Sequence, residues 1–127
     1  HAGGLPIVED PASYARSLKR AQEIRPAALF MGHGFQGPAG DLGPVARGPV
    51  VEQVFQESLY AHDILSQAFA GAVQAAPDAS GGDLARKALE TAGQSLSLDI
   101  DPATGFPGGY FRTLPGYLTI ARQAASG

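Results

Sequence analysis

Three histidines and no cysteine bound the chemistry open to this 127-residue chain. Without thiols there is neither a disulfide framework nor a thiolate metal site, which leaves His and carboxylates as the only strong ligands. His33 has the most informative setting. In "AALFMGHGFQGPAG" an apolar run ends in a histidine between two glycines and passes into a loop rich in Gly, Pro and Ala. A ligand histidine needs a fixed backbone and room for an ion to approach. Flanking glycines supply both, because they reach conformations closed to other residues and place no side chain beside the imidazole. The competing reading is a hydrogen-bonded structural histidine in a tight turn.

The other candidates are weighed in the same way. His62, in "LYAHDIL", shares a helical stripe with Phe55 and Phe69. It reads either as a core or interface histidine bonded to a neighbour or as a residue lining a substrate pocket. Asp63 points about 100° away from it and is expected to be exposed. His1 offers an amine and an imidazole able to chelate Cu(II), but such a brace needs a second histidine on a β-rich scaffold, and this chain reads helical. Phe35 directly follows the Gly-His-Gly and is expected to line a pocket. Tyr110 and Phe111 are candidates to wall an apolar substrate cavity, with core packing as the alternative. Phe106 and Tyr117 also fall in or beside loops, and Asp41 in "GDLGP" reads as a solvated turn residue.

The elements that must position these residues follow from periodicity and breakers. Asp10 is a natural N-cap and Pro11 suits a first helical position, so "DPASYARSLKRAQEIR" predicts an amphipathic helix over 11–24. Pro26 ends it, and "AALFMG" reads as a short buried strand of the parallel kind. The Gly/Pro segment after it is a loop leaving the carboxyl end of that strand, the edge at which open α/β sheets bind ligands. A long helix of about 40 Å is predicted from Pro49 to about Ala76. Its stripe is Val51, Phe55, His62, Leu65 and Phe69, with Val54, Ala61, Ile64 and Ala68 beside it. "PDASGGD" breaks it. A shorter helix follows at about 83–92, capped by Ser80 or Asp83 and stopped by Gly93. "LSLDI" alternates weakly, "DPATGFPGG" is turn-rich, and Pro115 is expected to begin a final helix with Leu118, Ile120 and Ala121 as its apolar residues.

Composition narrows the classes of partner. A chain of this length buries roughly 65–70% of its unfolded surface and suffices for one domain. Residues 1–48 form a helix–strand–loop unit and residues 49–127 a mainly helical extension of it. The charge of −3 carries no basic block, so neither nucleic acid nor an anionic membrane surface is an expected partner. No apolar run approaches the roughly 18–20 residues of a membrane span, and the start "HAGGLPIVED" lacks the pattern of a signal peptide. The expectation is a soluble protein, cytoplasmic or periplasmic.

Over residues 9–34, "EDPASYARSLKRAQEIRPAALFMGHG" resembles the C-terminal part of the metallo-β-lactamase-fold hydrolases in order and spacing. Sequences of that family commonly run through P-x-x-Y-x-x-S-L, here Pro11, Tyr14, Ser17 and Leu18, to an apolar strand ending in G-H-G. The resemblance implies an α/β fold, the C-terminal half of an αββα sandwich that is helix-rich in its second half. It implies a binuclear centre at the sheet edge with two divalent metal ions, Zn, or Fe or Mn as alternatives, and His33 as the last ligand. A metal-bound hydroxide would then cleave an ester, amide, lactone, or sulfate or phosphate ester bond of a small molecule.

The departures from the family are as informative. H-x-H-x-D-H is absent, and with only His1, His33 and His62 the chain cannot assemble that centre by itself. The expectation is a companion N-terminal chain or segment that carries H-x-H-x-D-H and shares the metals, this chain being the C-terminal portion of a split or processed hydrolase. A half sandwich would expose a sheet face, so it is expected to fold poorly alone and to associate through a large apolar interface. Two other readings stay open: a non-catalytic helical binding or assembly module, and a metal-free degenerate member of the fold.

Overall fold

The computed structural model describes residues 10–30, 36–37, 40–41, 45–96, 100–101, 103, 106–107 and 113–126. Helix α1 (Pro11–Ile24) begins where Asp10 accepts hydrogen bonds from the Ser13 amide at 3.1 Å and the Ser13 hydroxyl at 2.7 Å. Pro11 sits where no intrahelical amide is needed. The helix ends at Arg25, which takes the left-handed conformation (φ 54°, ψ 60°) and donates its amide to the Gln22 carbonyl at 3.1 Å. Pro26 then forbids a further turn. Strand β1 (Ala28–Phe30) follows and pairs antiparallel with β4 (Val45–Arg47) in the register Ala28↔Arg47, Leu29↔Ala46, Phe30↔Val45. Between them, β2 (Gln36–Gly37) and β3 (Gly40–Asp41) form a two-rung antiparallel ladder.

Helix α2 (Pro49–Ala75) is the spine. Its N-cap, Gly48, has φ 61° and ψ −140°, a backbone that a side chain would strain. Helix α3 (Gly81–Ala92) starts with the Ser80 hydroxyl accepting from the Asp83 amide at 3.2 Å and is capped by Gly93, so Ser80 is the cap and Asp83 lies in the first turn. A two-residue pair, β5 (Ile100–Asp101) with β6 (Phe106–Pro107), precedes α4 (Thr113–Ser126). Helix α4 begins two residues before Pro115, because a first helical turn tolerates a missing amide.

Two apolar clusters hold the helices. The larger joins Leu65, Phe69 and Val73 of α2 to Leu84, Ala88 and Leu89 of α3 and to Leu114, Tyr117 and Ala121 of α4. Alanines at 61, 68 and 72 of α2 and at 85, 88 and 92 of α3 are buried in this cluster. Each fully buried Leu or Phe contributes about 1.5–3 kcal/mol of transfer free energy before entropy is counted. The smaller cluster sets Leu18 and Ala21 of α1 against Val51, Val54 and Phe55 of α2.

This architecture corrects the expected fold class. Four helices dominate the described residues, and the strands among them are two or three residues long and paired antiparallel in isolated ladders. Neither a parallel pair nor a layered half of an αββα sandwich is present among them. The physical reason lies in where the apolar side chains fall. Leu, Ala and Phe recur at helical spacing along α2, α3 and α4 and bury one another, whereas the sequence from 32 to 48 is rich in Gly and Pro, which disfavour long strands. The run around Ala28 is an antiparallel edge rather than a parallel core strand. The apolar stripe of α2 is covered by α1, α3 and α4, so the uncovered face expected of a half sandwich does not arise there.

Candidate functional site

His33, the proposed metal ligand, lies outside the described residues, as do His1, Phe35, Tyr110 and Phe111. The structure does describe what leads to His33: helix α1, the left-handed turn at Arg25 and strand β1, whose last residue, Phe30, is separated from the Gly-His-Gly by one methionine. Asp41, read as a loop aspartate, belongs to β3 and pairs with Gln36.

His62 is described, and its surroundings favour the structural reading of it. Its Nδ1 lies 2.9 Å from the Tyr117 hydroxyl of α4, and the two rings sit 5.6 Å apart, tilted by 45°. Tyr117, 2% exposed, stacks on Phe69 at 5.9 Å. The imidazole is half-buried, which pushes its pKa below the ordinary value; the carboxylate of Asp63 acts against this and the ammonium of Lys19 with it. Burial raises the Tyr117 phenol far above its ordinary range, with the neighbouring Tyr14 phenol and the Asp63 carboxylate adding to the effect. The phenol therefore stays protonated at any physiological pH, and it can donate to Nδ1 of a neutral imidazole. Asp63 is exposed, as its helical offset requires.

The same face of α2 carries a second polar contact. Ser58, four residues before His62 and buried at 5% exposure, bonds with Tyr14 of α1, whose phenol is raised by burial and partly restored by that bond. Sequence reasoning missed this pair. Its available signals were a serine inside an apolar stripe at helical spacing and a tyrosine opening the buried face of α1. Tyr14–Ser58 joins α1 to α2, and His62–Tyr117 joins α2 to α4 at the larger apolar cluster.

An open cleft of about 580 Å³ lies where α1 ends and α2 begins, lined among others by Gln22, Arg25, Gly48, Glu52 and Phe55. The Gln22 amide donates to the Glu52 carboxylate across one wall. Among the described residues no group of three or more His, Cys, Asp or Glu side chains could hold a metal ion, and the Nδ1 of His62 is already engaged. These residues by themselves do not fit a binuclear centre. Also among them, no helix is long and apolar enough to cross a membrane. No family model, no curated protein and no solved structure matches the chain.

Proposed function

We propose that this chain is the part of a metal-dependent hydrolase that brings one ligand, His33, to a centre whose other donors sit on a companion segment bearing H-x-H-x-D-H. The observation that supports this reading is the helix–turn–strand unit ending immediately ahead of Met31-Gly-His-Gly. The capped helix, its left-handed stop and the short strand lead up to the histidine, and flanking glycines are residues that add no side chain beside a ligand. The reading requires no half sandwich from this chain; it requires only His33 and a partner surface. The ions would be Zn, or Fe or Mn, and the substrate a small molecule with a hydrolysable ester, amide, lactone, or sulfate or phosphate ester bond. Phe35, Tyr110 and Phe111 are its proposed pocket residues.

A non-catalytic helical binding or assembly module is the second reading. It is favoured by the self-contained core of α2, α3 and α4 and by the lack of a metal-holding group among the described residues. Elemental analysis separates the two. The protein is purified from its source together with whatever polypeptide accompanies it, as wild type and as His33→Ala. The hydrolase reading predicts bound transition metal in the first and a loss of at least half of it in the second, together with loss of esterase or lactonase activity. Equal metal content in both, or none in either, contradicts it.

A further inference from the structure

We propose that the contact between His62 and Tyr117 is a proton-operated latch between α2 and α4: a neutral imidazole holds the two helices together, and its protonation releases α4. The geometry carries the argument. The 2.9 Å contact crosses from one helix to another, and Tyr117 is 2% exposed, stacked on Phe69 in the centre of the larger cluster. With a neutral ring protonated at Nε2, the phenol donates to Nδ1 and its hydrogen is satisfied. An imidazolium has donors on both nitrogens and no acceptor. The Tyr117 oxygen can then accept from Nδ1–H, but its own hydrogen loses the Nδ1 acceptor, and no other described residue bonds with that hydroxyl. A buried donor left without an acceptor costs about 1–3 kcal/mol, and a half-buried cation adds to that cost.

The charges around His62 have opposing effects. From α1, Lys19 repels an imidazolium, while Tyr14, tied to Ser58, adds no charge. On α2 itself, exposed Asp63 attracts it. From α4 the facing group is the neutral Tyr117 phenol. The charges of α3 are spent elsewhere, Arg86 on Asp83 at 3.0 Å and Lys87 on Glu90 at 3.7 Å, all strongly exposed. Burial outweighs Asp63, so the folded imidazole titrates below its ordinary value of 6.5. A depressed folded pKa stabilises the fold fully above 6.5, and that contribution is lost as pH falls through the folded value.

Release of α4 uncovers Phe69 and Leu65, so hydrogen exchange reads the latch directly. In the full chain, α4 amides are predicted to lose protection relative to α3 between about pH 7.5 and pH 5. The loss is about tenfold for each pH unit over which only the opened form binds the proton. His62→Gln, which keeps an acceptor for the phenol but cannot be protonated, is predicted to abolish that acid-dependent difference. Unchanged α4 protection in wild type, or the same acid response in His62→Gln, overturns the proposal. Should His62→Gln not fold, Tyr117→Phe decides, since it keeps the stacked ring and removes the phenol donor: loss of the acid-dependent difference supports the latch, and the wild-type acid response overturns it.

Discussion

The bond from His62 to Tyr117 spans 55 positions of chain, and that distance explains why neither residue could be assigned its partner from local pattern. At this scale the sequence identified the right residue types without their pairings. His62 was legible as a histidine on an apolar stripe; that its Nδ1 meets a phenol depends on how α4 docks. Tyr117 read as a loop aromatic because Pro115 and Gly116 precede it, yet the first turn of α4 accommodates both. Tyr117→Phe retains the ring stacked on Phe69 and deletes the hydroxyl, so it should cost about 1 kcal/mol at neutral pH, read as a shift in denaturant midpoint at constant slope. The cap at Asp10 has a different pH signature. Two bonds from Ser13 hold its carboxyl below the ordinary 3.8, so the stability it gives is present above that value and is lost as pH falls through the folded pKa. Asp10→Ala should lower the melting temperature at neutral pH and flatten the acid unfolding profile below about pH 4.

Elements were more legible than contacts. The bounds of α1 at residues 11 and 24 follow from Asp10, Pro11 and Pro26, each of which acts locally on the backbone. Helix α2 was readable from an unbroken stretch of helical periodicity, and α3 from Ser80 and Gly93. The short apolar run at Ala28 was not readable, because an apolar tetrapeptide carries no information about whether its neighbour runs parallel or antiparallel. That ambiguity let the run pass for a parallel strand, and the family resemblance over residues 9–34 extended it to an expected αββα sandwich. Two glycines test the helix account by contrast, since a methyl group added to either would meet no packed neighbour within 4 Å. Gly71 lies inside α2 with helical backbone, so Gly71→Ala should stabilise by about 0.5–1 kcal/mol. Gly48 has φ 61°, so Gly48→Ala should destabilise by about 1–2 kcal/mol through backbone strain alone. Thermal denaturation of both variants gives opposite signs if the caps and bounds of α2 are as described.

On the scale of the whole molecule, the described residues form a helical platform, and His33 lies outside them. The platform draws its stability from the contacts of α2 with α3, α4 and α1, which contain no metal-holding group among the described residues. Chelation is therefore predicted to strip metal from the intact protein while leaving its far-UV circular dichroism and the fluorescence of its buried tyrosines essentially unchanged; loss of helix on chelation would place the metal inside the folding core instead. The Gly-His-Gly was the most legible functional signal in the sequence, because spacing and glycine flanks act locally. The H-x-H-x-D-H that the proposed centre requires does not occur in these 127 residues, so its other donors could not be read there.

We propose above all that the His33 imidazole binds a metal ion shared with another segment. Anomalous diffraction from crystals of the intact protein, collected on both sides of the zinc absorption edge and, if needed, those of iron and manganese, tests it most directly. The account predicts an anomalous peak about 2.0–2.1 Å from a ring nitrogen of His33, with further ligands contributed from outside residues 1–127. A His33 ring hydrogen-bonded within this chain, with no anomalous scatterer in reach, would contradict it.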